Sequence, residues 1–328
     1  MSTSTTQGDT YWASINDDIK AHLNWAIRVR DPVVVFEPMH HLTFAQPKSM
    51  APALCVAACE LIGGRRAHAL PAASAIHVMQ AAVHVHHNLL HKGRPKPMNH
   101  GFGPNIQLLT ADGLLSFGYE LMVKCNDNDN LGEEYSSRVL RATIEVARAL
   151  GSQGMVAGQF REVECGCDEV ALGEARGVEW LRYVHEKKDG GLHACGAACG
   201  AILGGGSEED IEKLRKYGLY VGMIHGILNG AAGRKDEGVI EMVENLGELA
   251  LKELKGFNAT KIGAISTFIH LILAGLLGWD SNMKMSPTYG VDVWGRREDI
   301  EISGRAFLEC CKAIMEDRRC RWGSIGRC

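Results

Sequence analysis

The chain has 328 residues, a formal charge of −4, and 46% hydrophobic but only 6% aromatic residues. At this length about three quarters of the unfolded surface can be buried, so a core needs no disulfide or structural metal to hold it. The charge balance offers no basic surface for nucleic acid or an anionic membrane, and the mix rich in Ala, Leu and Gly favours closely packed helices over a β-sandwich.

Taken in order, the periodicity predicts an amphipathic helix over Tyr11–Arg30, broken at Asp31-Pro32 because proline disfavours helix in the residue before it. Helical pattern resumes over Val33–Phe44 and stops at Gln46-Pro47-Lys48. The small apolar run Ala51–Ile62 is closed by Gly63-Gly64, and Ala69–Leu90 and Asn105–Met122 read as two long helices. After a polar loop, Tyr135–Leu150 is helical, and Gly151–Gly158 turns into a segment ending near Glu162. Glu164–Gly177 reads as a loop. Val178–His185 begins another helix, and Leu192–Leu203 is a second small-residue helix ended by Gly204-Gly205-Gly206. Ser207 is a good N-cap for Glu208–Leu228, with three acidic residues at the positive end of that helix. Lys235–Leu254 is amphipathic again. The expectation is an all-α bundle of more than four helices over residues 1–268, with 269–328 as a divergent, peripheral appendage. The longest apolar run, Phe268–Trp279, is too short to span a bilayer. Residues 1–9 carry no apolar secretory core, and the eleven cysteines have no secreted-framework spacing, which suits a reducing compartment.

Six of the fourteen histidines fall between His77 and His100. His84, His87 and His91 share a helix face, but a zinc site needs a fourth ligand and supporting partners that no motif supplies. Solvated or internally bonded histidines are the plainer reading. Cys55/Cys59 and Cys195/Cys199 form two C-x-x-x-C pairs. Cysteines on consecutive turns have poor disulfide geometry, and a four-cysteine zinc site would require both helices to meet on those faces. As small hydrophobes they mark surfaces for close helix approach, in the core or at a subunit interface. The glycine runs fit no phosphate loop.

These segments resemble the trans-isoprenyl diphosphate synthases, and among them the plant geranylgeranyl diphosphate synthases, over about Tyr11–Phe268. The resemblance rests on E-P-M-H-H-L-T-F-A from Glu37, L-C-V-A-A-C-E-L-I-G-G from Leu54, G-P-N-I-Q-L-L-T-A-D-G-L-L-S-F-G-Y-E-L from Gly103, G-M-V-A-G-Q from Gly154 and G-A-I-L-G-G-G-S-E-E-D-I-E-K-L-R-K-Y-G from Gly200. It implies an isoprenoid synthase-type multi-helix bundle. Catalytic members carry two Asp-rich motifs that bind Mg²⁺. Here the first becomes His86-His87-Asn88-Leu89-Leu90, and the second, after Gly218-Leu-Tyr-Val-Gly222, becomes Ile227-Leu228-Asn229-Gly230. The degenerate positions are thus His87, Asn88, Asn229 and Gly230. Of the diphosphate-gripping residues, Lys48 and Lys188 are what is left.

Mg²⁺ wants charged oxygen ligands, and ionising an allylic diphosphate needs cations on the departing oxygens. Neutral His, Asn and Gly supply neither. With both motifs lost and both C-x-x-x-C pairs present, the chain is similar to the non-catalytic small subunits of plant heteromeric geranyl and geranylgeranyl diphosphate synthases. That resemblance implies no catalytic residue and no cofactor or metal of its own, with Mg²⁺ held by a catalytic large-subunit partner. It also implies plastid residence, and Cys55, Cys59, Cys195 and Cys199 as partner-interface residues. The rival readings are a divergent prenyltransferase with weak activity of its own and a His/Cys metal-binding module.

Overall fold

The computed structural model describes residues 4–47, 49–90, 101–124, 132–164, 177–230, 237–258, 262–263, 265–266 and 269. Among them no strand occurs. The helices are α1 (Ser4–Ala26), α2 (Val33–Ala45), α3 (Ala51–Ile62), α4 (Arg66–Leu90), α5 (Pro104–Lys124) and α6 (Gly132–Leu150). They continue as α7 (Met155–Glu164), α8 (Val178–His185), a π-turn (Glu186–Gly190), α9 (Gly191–Gly204), α10 (Glu208–Gly230) and α11 (Glu237–Glu253). The all-α expectation holds, with most helix ends within a few residues of those read from the sequence, although the first helix begins at Ser4 rather than Tyr11 and ends at Ala26 rather than Arg30. One difference is informative. Val178–His185 and Leu192–Leu203 are not separated by a loop, because the π-turn joins α8 and α9 into one rod.

The two small-residue helices occupy the centre. Every residue from Ala51 to Cys59 in α3 and from Leu192 to Leu203 in α9 is buried, as expected of helices apolar on all sides. α4, α6 and α10 pack around this pair, α5 covers α4, and α11 covers α10. α1 lies across α3 and α4 and buries Trp12, Ile15, Ile19 and Leu23 at the three-and-four spacing of an amphipathic helix, with Ile27 buried just past its end. It is tethered by a polar cluster in which Arg66 Nε meets Glu60 at 2.8 Å and Arg66 Nη1 meets Asp18 at 2.7 Å. The Tyr11 hydroxyl donates to Glu60 at 2.7 Å. α2 is fixed to α4 by Gln46 Nε2 donating to the His77 carbonyl at 2.7 Å. Ser207 caps α10 as expected, its Oγ accepting from the Asp210 N–H at 3.2 Å. Ile265 and Ile269 are buried with the core, and the Tyr217 hydroxyl donates to the Ile265 carbonyl at 2.8 Å. The core therefore reaches Ile269, one residue past the expected boundary. The rest of the proposed appendage lies outside the described residues.

Candidate functional site

The degenerate motif positions lie at helix ends. His87 and Asn88 close α4, and Asn229 and Gly230 close α10. The side chains of His87, Asn88 and Asn229 are engaged by neighbours within the chain. The Asn88 amide donates to His84 Nε2 at 3.1 Å, and His86 Nε2 lies 3.3 Å from Asp112. His87 Nδ1 lies 3.6 Å from a Glu162 carboxylate oxygen. The Asn229 amide faces His225 Nε2 at 3.1 Å. His91 and Lys48, both singled out in the sequence, lie outside the described residues.

Lys188 sits in the π-turn, where a single extra residue per turn swings it toward α7. Its ammonium donates to both Glu162 oxygens, at 2.8 and 2.7 Å, and each side chain of the pair is only 16% exposed. Glu162 therefore ties α7 to the π-turn on one side and to the end of α4, through His87, on the other. A lysine so engaged cannot offer its full charge to a diphosphate. Asp189, the next residue, accepts from His185 Nδ1 at 2.9 Å. Burial alone would push its carboxyl up, but that hydrogen bond and the charges of His185, Lys188 and His225 hold it well below the usual carboxylate range.

The four cysteines lie on the packed helices α3 and α9, with the sulfurs of Cys55, Cys59 and Cys199 turned toward Ala69, Arg65 and Ala142. Cys55, Cys59 and Cys199 show no exposed surface and Cys195 only 3%. All four are thiols, with Cys195 and Cys199 Sγ atoms 3.8 Å apart. Cys199 donates to the Ala142 carbonyl at 3.5 Å and Cys59 to the Arg65 carbonyl at 3.5 Å. Burial, and then the Glu60 charge, push the Cys59 thiol up to about 12. The Cys195 hydrogen bond and burial also push Cys199 up. These are unreactive core thiols. The expected placement at a partner interface is corrected to this extent: the sulfurs face the chain's own neighbouring helices, because each C-x-x-x-C ridge is covered within the protomer.

The close contact between α3 and α9 is made by residues the sequence reading did not single out. Gly196, Gly200 and Gly204 recur every four residues on α9, one place beyond the cysteines. They lie on the backbone of Ala51, Cys55 and Cys59 in α3. A β-carbon at Gly196 would overlap the Ala51 carbonyl, and one at Gly200 the Cys55 carbonyl. The four-residue glycine spacing was the available signal.

The solvent-facing side of α5 and α6 is unusually apolar. Leu109 (67% exposed) and Val123 project from α5, and Leu140 (63%) and Ile144 from the adjoining α6.

The polyprenyl synthetase family model matches residues 32–229. The chain belongs to the polyprenyl synthetase family. A heterodimeric geranylgeranyl pyrophosphate synthase small subunit 2 from Cannabis sativa, named as chloroplastic, is 44% identical over 263 residues, covering 79% of this chain and 90% of that protein. The solved small subunit of geranyl diphosphate synthase from Antirrhinum majus is 47% identical, with a TM-score of 0.71, over 80% of this chain and 98% of the other. A mint heterotetrameric geranyl pyrophosphate synthase deletion mutant gives 43% identity and a TM-score of 0.70, over 79% and 99%. Within the polyprenyl synthetases this chain thus falls with the small subunits of heteromeric geranyl and geranylgeranyl diphosphate synthases.

At the described motif positions the Mg²⁺ associated with this family finds no suitable donor set. An imidazole engaged by a carboxylate (His87), two amides (Asn88, Asn229) and a glycine replace hard anionic oxygens. Among the described residues no group of three or more His, Cys, Asp or Glu side chains is placed to hold a metal. Nor, among them, is any helix long and apolar enough to cross a membrane.

Proposed function

We propose that this polyprenyl synthetase is a non-catalytic regulatory subunit. It pairs in the plastid with a catalytic geranylgeranyl diphosphate synthase and modulates that partner's rate or product chain length. Mg²⁺ and the allylic diphosphate are held by the partner, and this chain binds neither. The observation that carries the reading is the Glu162–Lys188 pair. It occupies the remaining diphosphate-binding lysine among the described residues with the chain's own carboxylate, beside helix ends that carry no acidic ligand. The relatives, one heterodimeric and one heterotetrameric, support the partner class.

Docking is assigned to the exposed face of α5 and α6. Leu109, Val123, Leu140 and Ile144 are large apolar side chains left exposed on these two adjoining helices, which is the kind of surface a partner covers. The two small-residue helices act behind this face. α9 packs against α6, so the cysteine seam sets where the docking helix sits.

The test mixes the full chain with a catalytic partner, then reads complex formation by gel filtration and products from isopentenyl and allylic diphosphates. A complex with altered rate or chain length is expected, with no turnover by the chain alone. Leu140→Glu is expected to abolish the complex while leaving the helical spectrum and unfolding midpoint of the isolated chain unchanged, because Leu140 is exposed there. Cys→Ser at all four positions should instead lower stability first, since it places hydroxyls in an apolar seam. Mg²⁺-dependent turnover by the chain alone, or no complex and no change in products, would overturn the proposal.

A further inference from the structure

α10 meets the α8–π-turn–α9 rod along a second line of glycines. Gly218, Gly222 and Gly226 recur every four residues. A β-carbon at Gly218 would overlap the His193 carbonyl, one at Gly222 the Asp189 carbonyl, and one at Gly226 the Asp189 carboxylate and the His185 ring. The residues they press on, His185, Asp189 and His193, are also four apart. Three glycines on one helix thus face a polar ladder on the other.

The rungs of that ladder are bonded to one another. His185 Nδ1 donates to the Asp189 carboxylate at 2.9 Å. His193 Nδ1 donates to the Asp189 carbonyl at 2.7 Å. A carbonyl can only accept, so this bond places the single proton of neutral His193 on Nδ1 and leaves Nε2 as the site for a second. That Nε2 is buried with no hydrogen-bond partner among the described residues, in a residue 1% exposed. From α10, the His225 ring lies 5.6 Å from the His193 ring, centre to centre, and reaches on to Asn229. The charged or titratable groups acting on His193 and His225 are, besides each other, His185 from α8 and Asp189 from the π-turn. A proton on Nε2 would put a buried cation in the α9–α10 seam, beside a second imidazole.

We propose that the His185–Asp189–His193–His225 ladder is an acid-sensitive latch. With its imidazoles at 193 and 225 neutral, α10 closes on α9, and protonating either of them opens that seam. Burial, reinforced by the His225 charge, holds His193 down at about 4 despite its bond to Asp189. Burial also lowers His225. Because the folded chain holds these protons less tightly than the unfolded chain does, the stabilisation is complete above pH 6.5. It is lost as pH falls from 6.5 toward 4.

The test compares the full chain at pH 7.5 and 5.0. His193 by itself is expected to raise the unfolding equilibrium constant about 30-fold at the lower pH. His22 and His77, lowered by burial elsewhere, add to the global dependence, so location decides. Hydrogen exchange, corrected for intrinsic rates, should show α9 and α10 losing protection at pH 5.0 before α3 and α4 do. His193→Gln should remove most of the extra sensitivity. If that variant does not fold, His225→Asn at the partly exposed side of the seam carries the same expectation. Uniform loss of protection, a folded-state His193 that titrates near 6.5 by NMR, or unchanged pH sensitivity in the folding variants would overturn the latch.

Discussion

Gly200→Ala is expected to cost about 3 kcal/mol or more, a large share of the stability of such a domain. The added β-carbon would overlap the Cys55 carbonyl oxygen and crowd the Ala58 β-carbon at 3.0 Å. Overpacking usually costs about 1–3 kcal/mol when side chains can change rotamer to relieve it. Here the obstacle is backbone in the most buried helix of the fold, so relief requires separating α3 from α9. Domains of this kind are typically stable by only about 5–15 kcal/mol. Gly113→Ala is the control of opposite sign. Its β-carbon would meet only the Met39 sulfur, at 4.0 Å, and replacing a mid-helix glycine in open space gains roughly 0.5–1 kcal/mol. Urea unfolding followed by circular dichroism separates the two. If Gly200→Ala unfolds at the wild-type midpoint, the seam is looser than its geometry.

The second large effect concerns Lys188 and Glu162. Lys188→Met removes the cation that neutralises a carboxylate only 16% exposed. Fully buried pairs lose about 3–5 kcal/mol when one partner goes, and exposed pairs about 0.2–1 kcal/mol. This pair is largely buried, and His87 gives Glu162 a residual neighbour at 3.6 Å, so about 2 kcal/mol is expected. Glu162→Leu should cost a similar amount. Lys188→Met combined with Glu162→Leu should recover most of the loss, because two matched apolar groups replace two desolvated charges. The coupling read from the double-mutant cycle measures the pair directly. Additive losses would mean that the two charges do not depend on each other, and the occupied-lysine argument for the remnant site would fall with them.

Much of the fold was legible in the residues. Both ends of α3 are legible in the sequence, since Pro52 suits a first turn and Gly63-Gly64 a terminus. α10 was read from Ser207 and the acids after it. The break at Asp31-Pro32 also held, although α1 stops earlier, at Ala26. The π-turn was not legible. Glu186–Gly190 has ordinary helical composition, and its wider winding follows from the contacts of Lys188 and Asp189 with α7 and α10.

The candidate site divides along the same line. His87, Asn88, Asn229 and Gly230 could be named from the chain because a missing carboxylate is a matter of composition, and no packing can make an imidazole or an amide into a hard anionic ligand. That left the family, the all-α class and the loss of the Mg²⁺ ligands to the sequence. Which residues then took each other's place was decided only by tertiary structure. Glu162 reaches Lys188 from 26 positions away, and the cysteines turned inward because glycines one place along α9 carry the contact. Local periodicity fixes which face of a helix is apolar, whereas the neighbour that covers it, and the charge that neutralises a lysine, depend on where distant helices cross.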